Sequence, residues 1–189
     1  MSFTDAEMKR FWRAHGTCFR DLEVIGDQNG LRSICFQGEG FCYNRFFNFW
    51  QDRVCRQLLG KTNAAPGDRA LDVGCGFGRW SRVLRDSGLK VTGVDLQETA
   101  ILQNTKRLPE CEFHVLPVEE VTPGGFGQFG LIVSVTVLQH MPYETQEAAL
   151  RRLFSCLRPG GHRIFMEEIL HKESPHLFSR SQEGWTRAF

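Results

Sequence analysis

Residues 71–81 read LDVGCGFGRWS, and the next apolar run, VTGVDL, closes on Asp95. An apolar strand that enters a glycine-dense turn, then a helix, then a second strand ending in an acid has the form of a nucleotide-binding βαβ unit. The glycines let the backbone approach a ligand, and the acid accepts hydrogen bonds from a ribose. Between Gly78 and Asp95 there is room for one helix and one short strand, roughly the twenty-residue interval of such a unit. A dinucleotide fingerprint is G-x-G-x-x-G, with its helix N-terminus aimed at a pyrophosphate. Here the glycines are Gly74, Gly76 and Gly78, one residue short, and Arg79 stands where the third glycine belongs. Asp72 adds a carboxylate beside the turn, where a pyrophosphate would lie. That charge opposes NAD and suits a ligand that carries a cation.

DVGCGFG, with Asp95 closing the second strand, resembles the class I S-adenosylmethionine (SAM) dependent methyltransferases, whose first motif has the form D-x-G-x-G-x-G. The resemblance implies SAM as cofactor. It implies close backbone approach at Gly74, Cys75, Gly76 and Gly78, Asp72 near the ammonium end, and Asp95, followed by Leu96, on the ribose hydroxyls. Downstream, FGLIVSVTVLQHM at 129–141 and LRPGG at 157–161 match the family's fourth strand, its active-site end and the turn into strand five, with Val135 beside the cofactor. After strand three the family carries acids for the adenine, whereas this chain has Pro117, Val118, Glu119 and Glu120. The proline removes the usual partner of the adenine amino group and leaves Val118 and Glu119 as the adenine contacts. Gly130 stands where the family's strand four often begins with Asp. The resemblance covers residues 40–189, most closely 69–97 and 129–168.

Periodicity and chain breakers divide the rest. They predict strands at 69–73, 90–95, 112–116, 131–135 and 163–169, and helices near 79–87, 98–107 and 144–157, with PGGFGQFG as a loop before strand four. Alternating strands and helices predict an α/β fold: a Rossmann-like, doubly wound, mostly parallel sheet with right-handed crossovers and helices on both faces. Ligands of such sheets bind at the carboxyl ends of the strands, near the point where strand order reverses. That rule selects Gly74 to Gly78, Asp95, Val118, Glu119, Gln139, His140, Glu167 and Glu168.

Residues 1–60 read as an N-terminal helical lid or cap and 61–189 as the core, a single domain overall. The first part shows strand-like alternation only near LRSICF. FCYNRFFNFWQDRVCRQLLG has Phe46, Phe49, Trp50, Arg53, Val54 and Leu58 at helical spacing, and Gly60 makes a C-terminal stop. Phe46, Phe49 and Trp50 are expected to pack. Tyr43 and Arg45, polar tips at the start of this helix, are candidates to close over cofactor or substrate. Their turn resembles the YN-x-W-type helix that precedes the first motif in a group of bacterial small-molecule methyltransferases.

A chain of 189 residues, 41% hydrophobic, can bury one core, and a formal net charge of +1 offers no field to recruit nucleic acid or an anionic membrane. No apolar run approaches the roughly 20 residues of a membrane span, and MSFTDAEMKRFW lacks the apolar stretch of a secretory signal. A cytoplasmic protein is expected. The seven cysteines are scattered, with no CxxC pair and no zinc-like spacing, so free thiols and no metal are expected.

Methyl transfer from a sulfonium is an in-line displacement on an activated carbon, so alignment and desolvation are the protein's main contributions. A base is needed where the acceptor holds its proton. His140, after strand four, is the candidate base; Glu167 or Glu168, ending strand five, is a candidate partner for a cationic amine; Tyr43 is the third candidate in the chemistry. The Asn/Asp-Pro-Pro-Tyr/Phe element of many nucleic-acid methyltransferases is replaced by SVTVLQHM. A small molecule is therefore the leading acceptor, with oxygen or nitrogen as the methylated atom. HLFSRSQEGWTRAF, from His176, resembles the start of the family's next helix, and the family's strands six and seven are not in the sequence. Strand five is then an open edge. Three readings follow: a truncated product, a homodimer that covers the edge, or a SAM-fold protein that binds or scaffolds without catalysis. An NAD-dependent oxidoreductase is the further rival.

Overall fold

The computed structural model describes residues 2–15, 41–169 and 175–189; at 15, 41–45, 47 and 48 it describes backbone alone. Two helices, α1 (Asp5–His15) and α2 (Phe41–Leu59), precede the sheet. Then come β1 (Arg69–Val73), α3 (Arg79–Asp86), β2 (Lys90–Asp95), α4 (Glu98–Arg107) and β3 (Glu112–Val115). A 3₁₀ turn (Val118–Glu120) and a one-turn helix α5 (Pro123–Phe126) lead to β4 (Phe129–Val135) and a second 3₁₀ turn (Leu138–His140). The remainder is α6 (Tyr143–Ser155), β5 (Leu157–Met166) and α7 (Gln182–Ala188).

The five strands lie in the order β3-β2-β1-β4-β5, and every pairing is parallel. The expected doubly wound sheet is present. Strand β4 reads FGLIVSV and is buried at all seven positions, as a parallel strand covered on both faces must be. Alternation divides each strand between two cores. Ala70, Val91, Leu131 and Val133 pack under α2 and α3 with Cys55, Trp80 and Leu84. Leu71, Val94 and Ile132 pack on the other face with Leu150 and Leu153 of α6 and Trp185 of α7. The chain leaves edge strand β3 and re-enters beside β1 as β4, so the order reverses between β1 and β4, and the carboxyl ends there open a crevice.

Three sequence expectations change. β5 begins at Leu157, not 163, because Phe129 pairs with Leu157 before the register slips near Leu131. LRPGG is therefore a bulged start of the strand, with Gly160 at φ 72, instead of a turn before it. β5 also stops at Met166, which releases Glu167 and Glu168 from the ladder. PGGFGQFG contains α5, capped by Thr122, whose hydroxyl accepts from Gly125 N at 3.3 Å.

The aromatic stripe of α2 does not pack as expected. Phe46, Phe49 and Trp50 are 69%, 65% and 51% exposed. The helix instead buries Gln51 and Cys55 and sets Leu58 and Leu59 against the core, the face opposite the aromatics. LRSICF, and the side chains of Tyr43 and Arg45, lie outside the described residues. No described helix is long and apolar enough to cross a membrane.

Candidate active site

A cavity of about 200 Å³ opens at the carboxyl ends of β1, β2 and β4. Its floor is the glycine turn. Gly74 has φ 61, and a Cβ there would stand 2.3 Å from Val137 Cγ2, so the turn and the segment after β4 close on each other only because that side chain is absent. Gly76 has φ 47 and faces open space, and its N–H donates to Asp95 Oδ2 at 2.8 Å. Asp95 Oδ1 accepts from Gln97 N at 2.8 Å. Burial raises the pKa of Asp95, and the N–H groups of Gln97, Gly76 and Leu96 oppose that shift. Each carboxylate oxygen has two acceptor sites, so Asp95 is oriented by backbone and retains acceptor capacity toward the cavity. From below, Asn104 Nδ2 donates to Gly76 O at 2.7 Å and pins the turn to α4.

Gly74, Cys75, Gly76, Asp95, Leu96 and Val135 all line this cavity, as do Val118, Glu119 and His140. Three other sequence candidates stand apart from it. Gly78 lines a separate cleft behind the turn. Asp72 is 1% exposed under α3, where it accepts from Ser81 Oγ at 2.6 Å. Burial lifts its pKa to about 7 against the Ser81 hydrogen bonds. Glu167 turns from the cavity toward the segment after β4, taking Ser134 Oγ and the N–H groups of Val137, Leu138 and Gln139 at 3.1–3.4 Å. Cys75 is a buried thiol whose pKa burial pushes well up, which suits turn packing and not nucleophilic attack.

Which helix of the N-terminal segment forms the roof was missed from the sequence. Helix α1 lays Met8, Lys9 and Trp12 over the opening, where the expectation had placed the start of α2. Lys9 pairs with Asp5 at 2.8 Å and with Glu119. Burial works against its charge, but the two carboxylates outweigh burial and raise its pKa. Asp5 Oδ1 accepts from Thr145 Oγ1 at 3.0 Å, and Trp12 meets His140 edge-on with centroids 4.7 Å apart. A sequence signal for this helix existed. Thr4-x-x-Glu7 is a capping box, with Thr4 N donating to Glu7 Oε2 at 2.8 Å and Glu7 N to Thr4 Oγ1 at 3.3 Å, ahead of an amphipathic run.

His140 Nδ1 lies 3.0 Å from His176 O. A carbonyl only accepts, so Nδ1 carries the hydrogen and Nε2 of the neutral ring is the acceptor. Gln139 Nε2 approaches that nitrogen at 3.5 Å and Glu168 Oε2 at 3.4 Å. Among the described residues no group of His, Cys, Asp and Glu is placed to hold a metal.

The cavity suits a ligand that presents a diol. Gln97 Oε1 is buried without a hydrogen-bond partner among the described residues, and Gln97 lines the cavity two residues past Asp95. A buried, unmatched acceptor beside a half-buried carboxylate calls for a ligand rich in donors, such as a vicinal diol. Of the cations in the lining, Lys9 is paired with two acids and Arg79 donates to Gln51 Oε1 at 2.5 Å, so neither is set aside for a pyrophosphate.

Comparison with known proteins agrees with this geometry. The family profile of a methyltransferase domain matches residues 70–161. Ubiquinone biosynthesis O-methyltransferases of Bordetella avium and Marinobacter nauticus are 32% and 31% identical over 117 and 119 residues, 60% of this chain in each case. Those matches cover 47% and 49% of the relatives, so the chain spans about half the length of the curated proteins it matches. Among solved structures, magnesium protoporphyrin IX methyltransferase of Synechocystis, crystallised with SAM, superposes with a TM-score of 0.63 at 20% identity, over 92% of this chain and 83% of that one. The cyclase SpnF superposes with a TM-score of 0.66 at 17% identity, over 100% and 71%. At such identities the superpositions show the fold alone. Glycine turn, strand-ending acid, strand order and matched core together make the chain similar to the class I SAM-dependent methyltransferases.

Proposed function

We propose that the protein binds SAM in the 200 Å³ cavity and transfers its methyl group to a small-molecule acceptor held between α1 and the segment after β4. The observation that carries this reading is Asp95, fixed by Gly76 N and Gln97 N at 2.8 Å each, beside the unmatched Gln97 Oε1. Asp95 and Gln97 hold the ribose, and Leu96, Val118 and Glu119 flank the adenine. Gly74 to Gly76 and Val135 follow the rest of the cofactor. When bound, SAM supplies an electrophilic methyl carbon, so the acceptor needs alignment, exclusion of water and, for a hydroxyl, removal of a proton.

Helix α1 excludes water, with Met8 and Trp12 over the acceptor end. His140 Nε2 takes the acceptor proton, its tautomer set by the hydrogen bond from Nδ1 to His176 O. An acceptor hydroxyl is favoured over a cationic amine. Glu167 does not line the cavity, while Asp5 and Glu119, which do, are both paired with Lys9. The names of the curated relatives, O-methyltransferases, support the same choice.

Calorimetric titration with SAM, S-adenosylhomocysteine (SAH) and NAD, with Asp95→Ala as control, tests the site. Expected are binding of SAM and SAH, no binding of NAD, and about a hundredfold loss of SAH affinity in the variant, the scale of two hydrogen bonds to a carboxylate. Failure of the folded chain to bind SAH would sink the proposal. Binding without turnover across a panel of phenols and catechols would leave a binding or scaffolding protein.

A further inference from the structure

The segment from Thr136 to His140 is strained and borders the cavity. Thr136, β-branched, sits at φ 56, in the left-handed region that such residues avoid. Thr136, Val137 and His140 line the cavity, so this short stretch shapes the acceptor end. Backbone strain at a site persists where surrounding groups hold it in place.

The holding group is visible. In the 3₁₀ turn, His140 N donates to Val137 O at 3.0 Å and Met141 N to Leu138 O at 2.9 Å. The preceding N–H groups, those of Val137, Leu138 and Gln139, have no carbonyl within the turn. All three point at one carboxylate. Glu167 Oε1 accepts from Val137 N at 3.4 Å and Leu138 N at 3.2 Å, and Oε2 accepts from Gln139 N at 3.1 Å. Ser134 Oγ, at the end of β4, donates to Oε1 at 3.2 Å. Converging N–H groups form an anion nest, and here the anion belongs to the chain. Two further ties run alongside: Thr136 N donates to Met166 O at 2.7 Å, and Glu168 N to Gln139 Oε1 at 2.6 Å.

We propose that Glu167 is a positioning residue whose carboxylate clamps the 3₁₀ turn that follows the left-handed Thr136 and so sets the His140 ring at the acceptor end of the cavity. Its functional consequence rests on the reading of His140 as the base; the clamp itself does not. The role depends on both oxygens being acceptors. Glu167→Gln keeps the shape but brings an NH₂ group toward donors, so at least one N–H loses its partner. Ionisation of the clamp is opposed by burial, which lifts the Glu167 pKa to about 7 against its four donors.

The test is amide hydrogen exchange and histidine side-chain NMR on the full chain, for the wild type, Glu167→Gln and Ser134→Ala. In Glu167→Gln the amides of Leu138 and Gln139 are expected to exchange about tenfold faster, as for loss of one hydrogen bond to a charged acceptor. The His140 ring is expected to lose its single Nδ1–H tautomer, while the β1 and β2 amides keep wild-type rates. Unchanged turn amides in the folded variant would overturn the clamp. So would a rise shared equally by β1, because Glu167 would then support the sheet as a whole. If Glu167→Gln does not fold, Ser134→Ala carries the test. It removes one donor from the same carboxylate and is expected to speed the turn amides about threefold and leave β1 unaffected. A parallel SAH titration of the wild type separates the two ideas, since failure to bind would remove the cofactor reading while the exchange rates still decide the clamp.

Discussion

At the β1–β2 end of the cavity, the glycine turn and Asp95 belong to one βαβ unit, residues 74–97, and are placed by backbone: Gly76 N and Gln97 N orient Asp95, and Gly74 allows the turn to close. At the other end, the groups come from far apart in the chain. Asp5 meets Thr145, Trp12 meets His140, and His140 meets the carbonyl of His176. One end is a local motif that any chain with those residues would form. The other exists only once the sheet has brought α1, the β4 exit and the chain after β5 together. On the proposed reading, the first holds the cofactor and the second meets the acceptor.

The sharpest way to break this division is Gly74→Ala, because Gly74 touches both ends. A Cβ there meets Val137 Cγ2 at 2.3 Å on a backbone at φ 61. SAH affinity is expected to fall by about a hundredfold or more, with a lower melting temperature. Adding Val137→Ala removes the clash but not the backbone strain, so it should restore part of the loss. Full restoration would show that contact alone, and not φ, requires the glycine.

His140→Gln probes the far end alone. Turnover of a phenolic acceptor is expected to drop by about two orders of magnitude, the lower end of what a positioned base contributes. SAH binding should stay within about threefold of wild type, since the altered group lies in the other half. Equal losses in affinity and turnover would contradict the separation of the two ends.

The smallest effect is a pH dependence of stability. Asp72 and Glu167, both lifted by burial to about 7, bind a proton more tightly folded than unfolded. Their favourable contribution is therefore complete below the ordinary carboxylate range and is lost as pH rises through about 7. Melting temperature is expected to fall from pH 5 to pH 8, as the free energy of unfolding drops by at most about 1.4 kcal/mol per pH unit for each group. Asp72→Asn, under α3, and Glu167→Gln, behind the segment after β4, should each flatten that slope. A slope unchanged in both variants would place the titration elsewhere.

Much of the fold was legible in the residues. β1, β2 and α4 run over the predicted spans, because apolar runs bounded by glycines, prolines and polar residues leave few alternatives. The limits of β5 were not legible, since pairing with Phe129 draws Leu157 into the sheet across a Pro-Gly-Gly that reads as a turn. The aromatic stripe of α2 misled for a similar reason. Helical spacing identifies a face but not its direction, and the core accepted the face of Gln51 and Cys55.

The candidate site divides along the same line. Asp95 and the glycines of the turn were readable because their task depends on near neighbours, and a positive φ or a strand-ending acid leaves a mark in sequence. Glu167 was read as facing the acceptor, yet its carboxylate turns to three N–H groups about thirty residues away in sequence. Met8, Lys9 and Trp12 carried a capping signal for a helix but none for where the helix would lie. The sequence by itself determined the βαβ unit, the alternation that builds a parallel sheet and the placing of Asp95 beside the glycine turn, since hydrogen bonding and steric freedom over a few residues suffice for these. Tertiary structure alone decided which helix roofs the cavity, which carboxylate clamps the turn and which tautomer His140 adopts, because each depends on a partner that only the folded sheet brings within reach.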